Sequence, residues 1–320
     1  MADESAAEKA VKKIKKTITK MNKEMPSLAT ILNTYGKVFA ERAKFREELP
    51  LLMNVRISSP DPLRFSQGMT LLNEGIFPLS TDAMEKVAGR MIPVLATAFP
   101  KIEPILRKLK TALKKNHLYL RNCMESMLHG RDEIINRTAS NLETDPLTLK
   151  FILGQLLKPL VEKQEENLRP VIQNLNWHKG YCPVCGSFPV LSYLKGPEGQ
   201  RWLMCGLCSH EWRFMRTQCP FCEKDNPEEL EFCFVEERGY ERAEMCHQCK
   251  RYIVSIDLRK YPYDFIPEVA VVGTLYLDVL AQEKGFIPVA DSVWNSGSRP
   301  DISSERMETN ARGVRQKRNS

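Results

Sequence analysis

The chain has 320 residues, of which 42% are hydrophobic and 27% charged, and its formal net charge is +7. This length allows two or three domains, and the composition is that of an ordinary soluble globular protein. The longest apolar run, residues 269–277, is much shorter than the roughly 20 apolar residues of a membrane span. We therefore predict no membrane insertion.

The positive charge is concentrated at the two ends of the chain. Residues 1–24 hold seven Lys against four acidic residues, and residues 296–320 hold six Lys or Arg against three acidic residues. The ends thus supply +6 of the +7, and the body lacks the basic face that a nucleic-acid-binding protein would need. The cysteine-rich region offers few candidates for such a contact: Trp202, Trp212 and Arg213 to Arg216. We predict no nucleic-acid partner.

In chain order, the first half shows the apolar spacing of amphipathic helices. Helices are predicted over residues 3–22, from Pro26 toward Leu49, from Thr81 to Leu95, from Ile102 to Leu128, and from Pro146 through a kink at Pro159. Prolines and glycines make residues 50–80 a predicted loop region. We predict one helical domain over residues 1–175, with no catalytic spacing in it.

Eight of the ten cysteines follow in four C-x2-C turns, here called knuckles: Cys182/Cys185, Cys205/Cys208, Cys219/Cys222 and Cys246/Cys249. One knuckle presents two sulfurs to a metal ion, and two knuckles complete a tetrahedral four-thiolate site. The N-terminus has no apolar segment typical of an export signal, so we expect a cytoplasmic protein. In that reducing compartment such pairs are metal ligands rather than disulfides. Four knuckles therefore predict two metal sites.

The knuckle region is an internal duplication. The motif Cys182-Pro-Val-Cys185 recurs as Cys219-Pro-Phe-Cys222, and Arg201-x-x-Met-Cys205 recurs as Arg242-x-x-Met-Cys246. Tandem similarity favours one site from the first two knuckles and one from the last two. We call these the first cysteine group (Cys182, Cys185, Cys205, Cys208) and the second cysteine group (Cys219, Cys222, Cys246, Cys249). Interleaved pairing of the knuckles stays open from sequence alone.

Strand patterns surround the knuckles in both copies. Strands are predicted at 188–194, 201–204 and 210–216 in a first unit (residues 180–217), and at 230–235, 241–245 and 251–257 in a second unit (residues 218–258). This layout is that of a zinc ribbon or rubredoxin-like fold. A unit of roughly 40 residues buries too little apolar surface to fold alone, so bound metal must stabilise it.

The remaining elements complete the predicted fold class, which is α+β: a helical N-terminal domain, two tandem four-cysteine units and a C-terminal helix. That helix is predicted from Pro267 to Lys284 within a segment spanning 262–288, followed by a disordered tail over 291–320. Cys233 lies in a predicted strand without a partner and is expected to be a packed thiol. His210 and His247 adjoin knuckles, but four cysteines already complete each site, so neither is predicted as a ligand.

The knuckle region resembles the FdhE-type formate dehydrogenase accessory proteins. The similarity covers about residues 180–285 and rests on Tyr181-Cys-Pro-Val-Cys-Gly-Ser-Phe-Pro-Val190, Leu203-x-Cys-x-Leu-Cys208, Glu211-Trp212, Arg216, the two further knuckles and Leu277-Asp278. The resemblance implies a cytoplasmic maturation factor for the catalytic subunit of a molybdenum- or tungsten-dependent formate dehydrogenase. It also implies iron in rubredoxin-like sites held by the eight knuckle cysteines. The chain departs from the family pattern at Ala270 and Val271, where the family has an acidic pair.

Three classes of function are consistent with these features. We predict a binding protein without enzymatic activity, whose client is the formate dehydrogenase catalytic subunit. The alternative is a rubredoxin-like redox protein that transfers electrons or exchanges thiols with its client, and a nucleic-acid-binding ribbon is the third. Iron and zinc both accept four thiolates, so the sequence does not distinguish these two metals.

Overall fold

A computed structural model describes residues 4–49, 59–75, 81–116 and 118–290 of the chain. The prediction of a disordered tail over 291–320 falls outside these residues. None of the helices in the described part has the length and apolar character to cross a membrane.

Helices make up the first half of the described chain. They are α1 (Ala6–Glu24), α2 (Ala29–Glu48), α3 (Pro62–Ser66), α4 (Thr81–Ala98), α5 (Glu103–Lys115), α6 (Leu118–Leu128), α7 (Asp132–Asn141) and α8 (Pro146–Ile172). Ser5 and Glu8 form a reciprocal capping box at the start of α1, and Asp145 caps α8 through the backbone N–H of Thr148. Pro159 lies inside α8, which continues through it.

The structure corrects the predictions for one helix and for one loop region in this half of the chain. The helix predicted over residues 102–128 is two helices, because the backbone is extended at Asn116, where α5 ends. The region predicted as a loop over residues 50–80 contains α3, which Asp61 caps by accepting from the N–H groups of Leu63 and Arg64.

The core of this helical half forms around α8. Seven of its apolar side chains have no solvent exposure: Leu149, Ile152, Leu153, Leu156, Leu157, Val161 and Leu168. They pack with buried residues of α4, including Val87, Met91 and Leu95, in one hydrophobic cluster that also contains the first cysteine group. The helical half and the first unit therefore share a core.

The two cysteine units form one sheet. Its strands are β1 (Pro189–Lys195), β2 (Gln200–Cys205), β3 (Glu211–Arg213), β4 (Leu230–Cys233), β5 (Glu241–Cys246), β6 (Arg251–Asp257) and β7 (Ile287–Pro288). Each unit is an antiparallel three-stranded meander, and the strand order is β3-β2-β1-β6-β5-β4. The units join where β1 pairs in parallel with β6, with Ser192 opposite Ser255. The predicted α+β fold class is confirmed, and the two ribbons are continuous.

The predicted C-terminal helix is two short helices, α9 (Pro267–Gly273) and α10 (Leu275–Glu283). The chain bends at Thr274, whose hydroxyl donates to the carbonyl oxygen of Ala270 at 3.0 Å. Val269 and Val272 of α9 pack in a cluster with α1 and α2, whereas Leu277 and Ala281 of α10 pack against the sheet. This segment therefore joins the N-terminal helices to the sheet.

Candidate metal centres

All four knuckles adopt a similar turn. The residue after the second cysteine has a positive φ in each case: 75° at Gly186, 58° at Ser209, 56° at Glu223 and 57° at Lys250. Only one of these positions is glycine, although the left-handed conformation costs other residues roughly 1–2 kcal/mol. This shared backbone conformation curves each loop so that both of its cysteine side chains lie on the same side.

The knuckles close in pairs. In the first cysteine group the sulfur of Cys182 lies 3.5 Å from that of Cys208, and the sulfur of Cys185 lies 3.4 Å from that of Cys205. The second group shows 3.7 Å between Cys219 and Cys249 and 3.8 Å between Cys222 and Cys246. Within each group all four sulfurs lie within 4.8 Å of one another. The structure thus brings together knuckles one and two, and knuckles three and four, and not an interleaved set.

The sulfur separations suit a four-coordinate metal. A tetrahedral ion with metal–sulfur bonds of about 2.3 Å has sulfur–sulfur edges of about 3.8 Å. Disulfide sulfurs would lie at about 2.05 Å, and the cysteines of both groups are free thiols. Each group could therefore hold one metal ion, and the distances do not select between zinc and iron.

Crowding of four thiols perturbs their acidity in opposite directions. Burial raises the pKa of Cys182 and of Cys208, whereas hydrogen bonds from Cys182 and its neighbours lower the pKa of Cys185. In the second group a hydrogen bond from Cys249 lowers the pKa of Cys219 to about 5. Without a metal ion, four sulfurs this close together cannot all be thiolates, because their negative charges repel one another. A divalent cation would bind all four as thiolates.

Backbone donors already point at one of the sulfurs. The N–H groups of Leu207 and Cys208 lie 3.4 Å from the sulfur of Cys205, and both donate to it. Such donors stabilise thiolate charge. The second knuckle of the first group is therefore shaped for a thiolate rather than for a neutral thiol.

Neither neighbouring histidine joins a cysteine group. His210 pairs through Nδ1 with Glu165 of α8 at 2.7 Å and stacks on Trp212. His247 pairs through Nε2 with Glu231 at 2.9 Å. Cys233 lies half-buried in β4 beside the core cluster of the sheet, apart from both groups. The structure thus places each histidine against a carboxylate and Cys233 against the core of the sheet.

No pattern in the sequence indicated the contacts that the helical half makes with the first cysteine group. Lys158 of α8 donates to the carbonyl oxygens of Gly206 and Leu207, at 3.2 and 3.4 Å. The N–H groups of Leu71 and Leu72 donate to the carbonyl oxygens of Pro183 and Val184. A lysine on a helix and two leucines in a loop have many possible partners, so only the tertiary structure identifies them.

Comparison with known proteins supports the family resemblance. A family model described as "FdhE, central domain" matches residues 181–216. A protein FdhE homolog from Aquifex aeolicus is 33% identical over 165 residues, which cover 50% of this chain and 57% of that protein. The resemblance to the FdhE proteins is confirmed. Another FdhE homolog, from Haemophilus ducreyi, is 28% identical over 223 residues. That match covers 67% of this chain and 68% of the homolog.

The matches with FdhE proteins cover different fractions of this chain. A Haemophilus influenzae homolog is 37% identical over 108 residues, and the match covers 33% of this chain and 35% of that protein. The matches thus span between about a third and about two thirds of the lengths of these relatives. The crystal structure of the FdhE protein from Pseudomonas aeruginosa superimposes with a TM-score of 0.60 at 18% identity, covering 91% of this chain and 97% of that one. At this identity the structural likeness concerns the fold.

Ala270 and Val271, where the resemblance implied an acidic pair, lie in a largely buried part of α9. Ala270 is 1% exposed and packs in the core cluster of the sheet, and Val271 is half-buried beside it. Small apolar side chains fit this position because α9 is buried there against other elements. A carboxylate at position 270 would be desolvated in this chain.

Proposed function

We propose that this chain is a metal-containing accessory protein that binds a client enzyme and carries out no catalysis itself. Its client is the catalytic subunit of a molybdenum- or tungsten-dependent formate dehydrogenase, and the interaction takes place in the cytoplasm. The resemblance to FdhE proteins supports the identity of the client. The geometry of the two cysteine groups supports the metal content.

In this proposal the eight knuckle cysteines are the metal ligands: Cys182, Cys185, Cys205 and Cys208 for one ion, and Cys219, Cys222, Cys246 and Cys249 for the other. The single observation that carries it is that two sets of four free sulfurs converge at 3.4–3.8 Å along the closest edges. When bound, each ion supplies positive charge and four bonds that hold two knuckles together. The ion is iron or zinc.

The remaining thiols support a binding role rather than a catalytic one. Burial raises the pKa of Cys123, which packs in the helical core beside Thr138, and burial also raises the pKa of Cys233. A nucleophilic cysteine needs the opposite shift. With eight thiols committed to metal and these two unactivated, no cysteine is left for nucleophilic catalysis.

The redox alternative is favoured by one observation, the partial exposure of Cys222 and Cys249 in the second group. An iron ion there would lie near the surface, where an electron could pass to a partner. Visible spectroscopy of anaerobically purified protein separates the two functions. A colourless protein with two zinc ions would eliminate electron transfer, whereas a red protein that bleaches reversibly on reduction would support it.

The client proposal is tested by affinity purification of the tagged chain from an anaerobic host that produces formate dehydrogenase. We expect the catalytic subunit to copurify with the wild-type chain and with Cys123→Ala, which removes a cysteine outside both groups. We expect its loss with the double variant Cys182→Ala/Cys185→Ala. Failure to recover the subunit, together with unchanged formate dehydrogenase activity in a deletion strain, would refute the client proposal.

A further inference from the structure

The two cysteine groups differ in how the rest of the protein contacts them. In the first group, the carbonyl oxygens of the two residues between the cysteines are bonded by the helical half. Leu71 donates its N–H to Pro183 at 3.1 Å, and Leu72 donates its N–H to Val184 at 2.9 Å. The first knuckle is therefore held from outside the unit at both of the residues between its cysteines.

The second knuckle of the first group is held at the same two positions by a side chain. The ammonium of Lys158 donates to the carbonyl oxygens of Gly206 and Leu207 and to the hydroxyl of Ser209, at 3.2, 3.4 and 3.0 Å. Ser209 in turn donates to Glu162 of α8 at 2.6 Å. Because the Lys158 and Glu162 side chains are only 13% and 9% exposed, these bonds are protected from water.

The two cysteine groups also differ in how deeply their cysteines are buried. The cysteines of the first group are between 0 and 5% exposed and belong to the large hydrophobic cluster of the helical half. No small molecule can reach their sulfurs unless this core opens locally. The first group is thus closed by packing and by three donor groups, which make four hydrogen bonds to its knuckle carbonyls.

The second cysteine group is covered less completely, although the backbone of Gly180 packs against the carbonyl group of Pro220. Cys219 and Cys246 are buried, but Cys222 and Cys249 are half-exposed, one from each knuckle. In the described part of the chain, no donor bonds to the carbonyl oxygens at the corresponding positions: Pro220, Phe221, His247 and Gln248. A sulfur nucleophile can therefore approach this group from the side of Cys222 and Cys249.

We propose that the second cysteine group is a ligand-exchange site for an external thiolate, whereas the first is a permanent structural clamp. The inference rests on the metal content proposed above. In the exchange step the incoming thiolate sulfur forms a bond to the metal ion as the bond to Cys222 or Cys249 breaks. The released thiolate takes a proton from water, and the oxidation state of the metal does not change.

A thiolate is the ligand class that this site selects. The metal ion is already held by soft sulfur donors, so another sulfur donor replaces one of them with little change in bonding. Such a thiolate belongs to a small thiol or to a cysteine of a partner protein.

The test uses the full-length chain loaded with two zinc ions. Zinc release to the chromophoric chelator 4-(2-pyridylazo)resorcinol is followed in the presence of increasing glutathione. We expect two phases of one zinc each, with rates that differ by about tenfold or more because only the slow one needs local unfolding. The fast rate should rise with glutathione concentration, and the slow rate should not.

Variants assign the phases. Cys219→Ala/Cys222→Ala should remove the fast phase and leave the slow one. Lys158→Met should accelerate the slow phase without changing the fast phase, because it removes donors to the first group while keeping most of the side-chain volume. Lys150→Met is the matched control, since Lys150 also lies on α8 but pairs with Asp132. It should change neither phase.

The outcomes separate this inference from the metal proposal. If the chain binds no metal, the proposed metal sites fail. If both ions leave in one phase, if the fast phase ignores glutathione, or if the fast phase persists in Cys219→Ala/Cys222→Ala, metal binding stands and the exchange site is refuted.

Discussion

Arg201 of the first unit and Glu244 of the second unit form a buried ion pair of 2.7 Å across the fused sheet. The same carboxylate also pairs at 2.9 Å with Arg242, which is the counterpart of Arg201 in the sequence duplication. The position of Glu244 is occupied in the first unit by Leu203, so the duplicated arginines share one acceptor. This carboxylate therefore links the two units in addition to the backbone pairing of β1 with β6.

Replacing Glu244 should destabilise the sheet strongly. In Glu244→Gln the two guanidinium groups lose their charged partner, and Arg201 is 3% exposed. Breaking a buried pair in this way costs roughly 3–5 kcal/mol. Denaturant unfolding of the zinc-loaded chain, followed by circular dichroism, measures this loss. Glu211→Gln is the control, because Glu211 pairs with Lys195 at the surface, and a similar loss in both variants would contradict the assignment.

The contribution of Glu244 should depend on pH in a defined direction. Burial raises the pKa of this carboxyl, but Arg201 and Arg242 outweigh burial and hold the pKa below the ordinary value of 4.5. A carboxylate with a lowered folded-state pKa stabilises the protein above its unfolded pKa, and that stability is lost as pH falls through the folded-state pKa. The difference in unfolding free energy between wild type and Glu244→Gln should thus be largest near neutral pH and shrink in acid. A difference that grows on acidification would be inconsistent with this explanation.

Removing one metal site should loosen a different part of the protein from removing the other. Cys182→Ala/Cys185→Ala should lower the metal content by one ion and also loosen the helical half, because the first group lies in its core. Cys219→Ala/Cys222→Ala should lower the metal content by the same amount but affect only the second unit. Amide hydrogen exchange in α8 reports the distinction. Equal protection of α8 in the two variants would show that the first group is not part of the helical core.

The contact between α1 and α9 depends on a glycine. A Cβ atom at Gly273 would lie 2.1 Å from the Cε atom of Met21, which is fully buried. Gly273→Ala should therefore force the flexible end of the Met21 side chain to move within a filled core, at a cost of about 1 kcal/mol of stability. Gly89→Ala is the matched control, because nothing lies within 4 Å of its Cβ position in α4, and it should be neutral or stabilising. Thermal unfolding compares them, and equal midpoints would contradict the close approach.

The features that depend on the spacing of nearby residues could be predicted from the sequence. The predicted strand 251–257 coincides with β6, and the duplicated motifs identified which knuckles come together. The sequence did not predict the parallel pairing of Ser192 with Ser255, since either unit could have kept its outer edge free. The break at Asn116 was missed because apolar periodicity continues across it. The role of Lys158 was missed because its acceptors are backbone carbonyls, which every residue carries.

Two bound metal ions are expected to stabilise the sheet. The most direct measurement is elemental analysis of the anaerobically purified chain, combined with circular dichroism before and after complete chelation. We expect two iron or zinc ions per chain and loss of the sheet signal once they are removed. A metal-free chain that retains the same sheet signal would contradict the account.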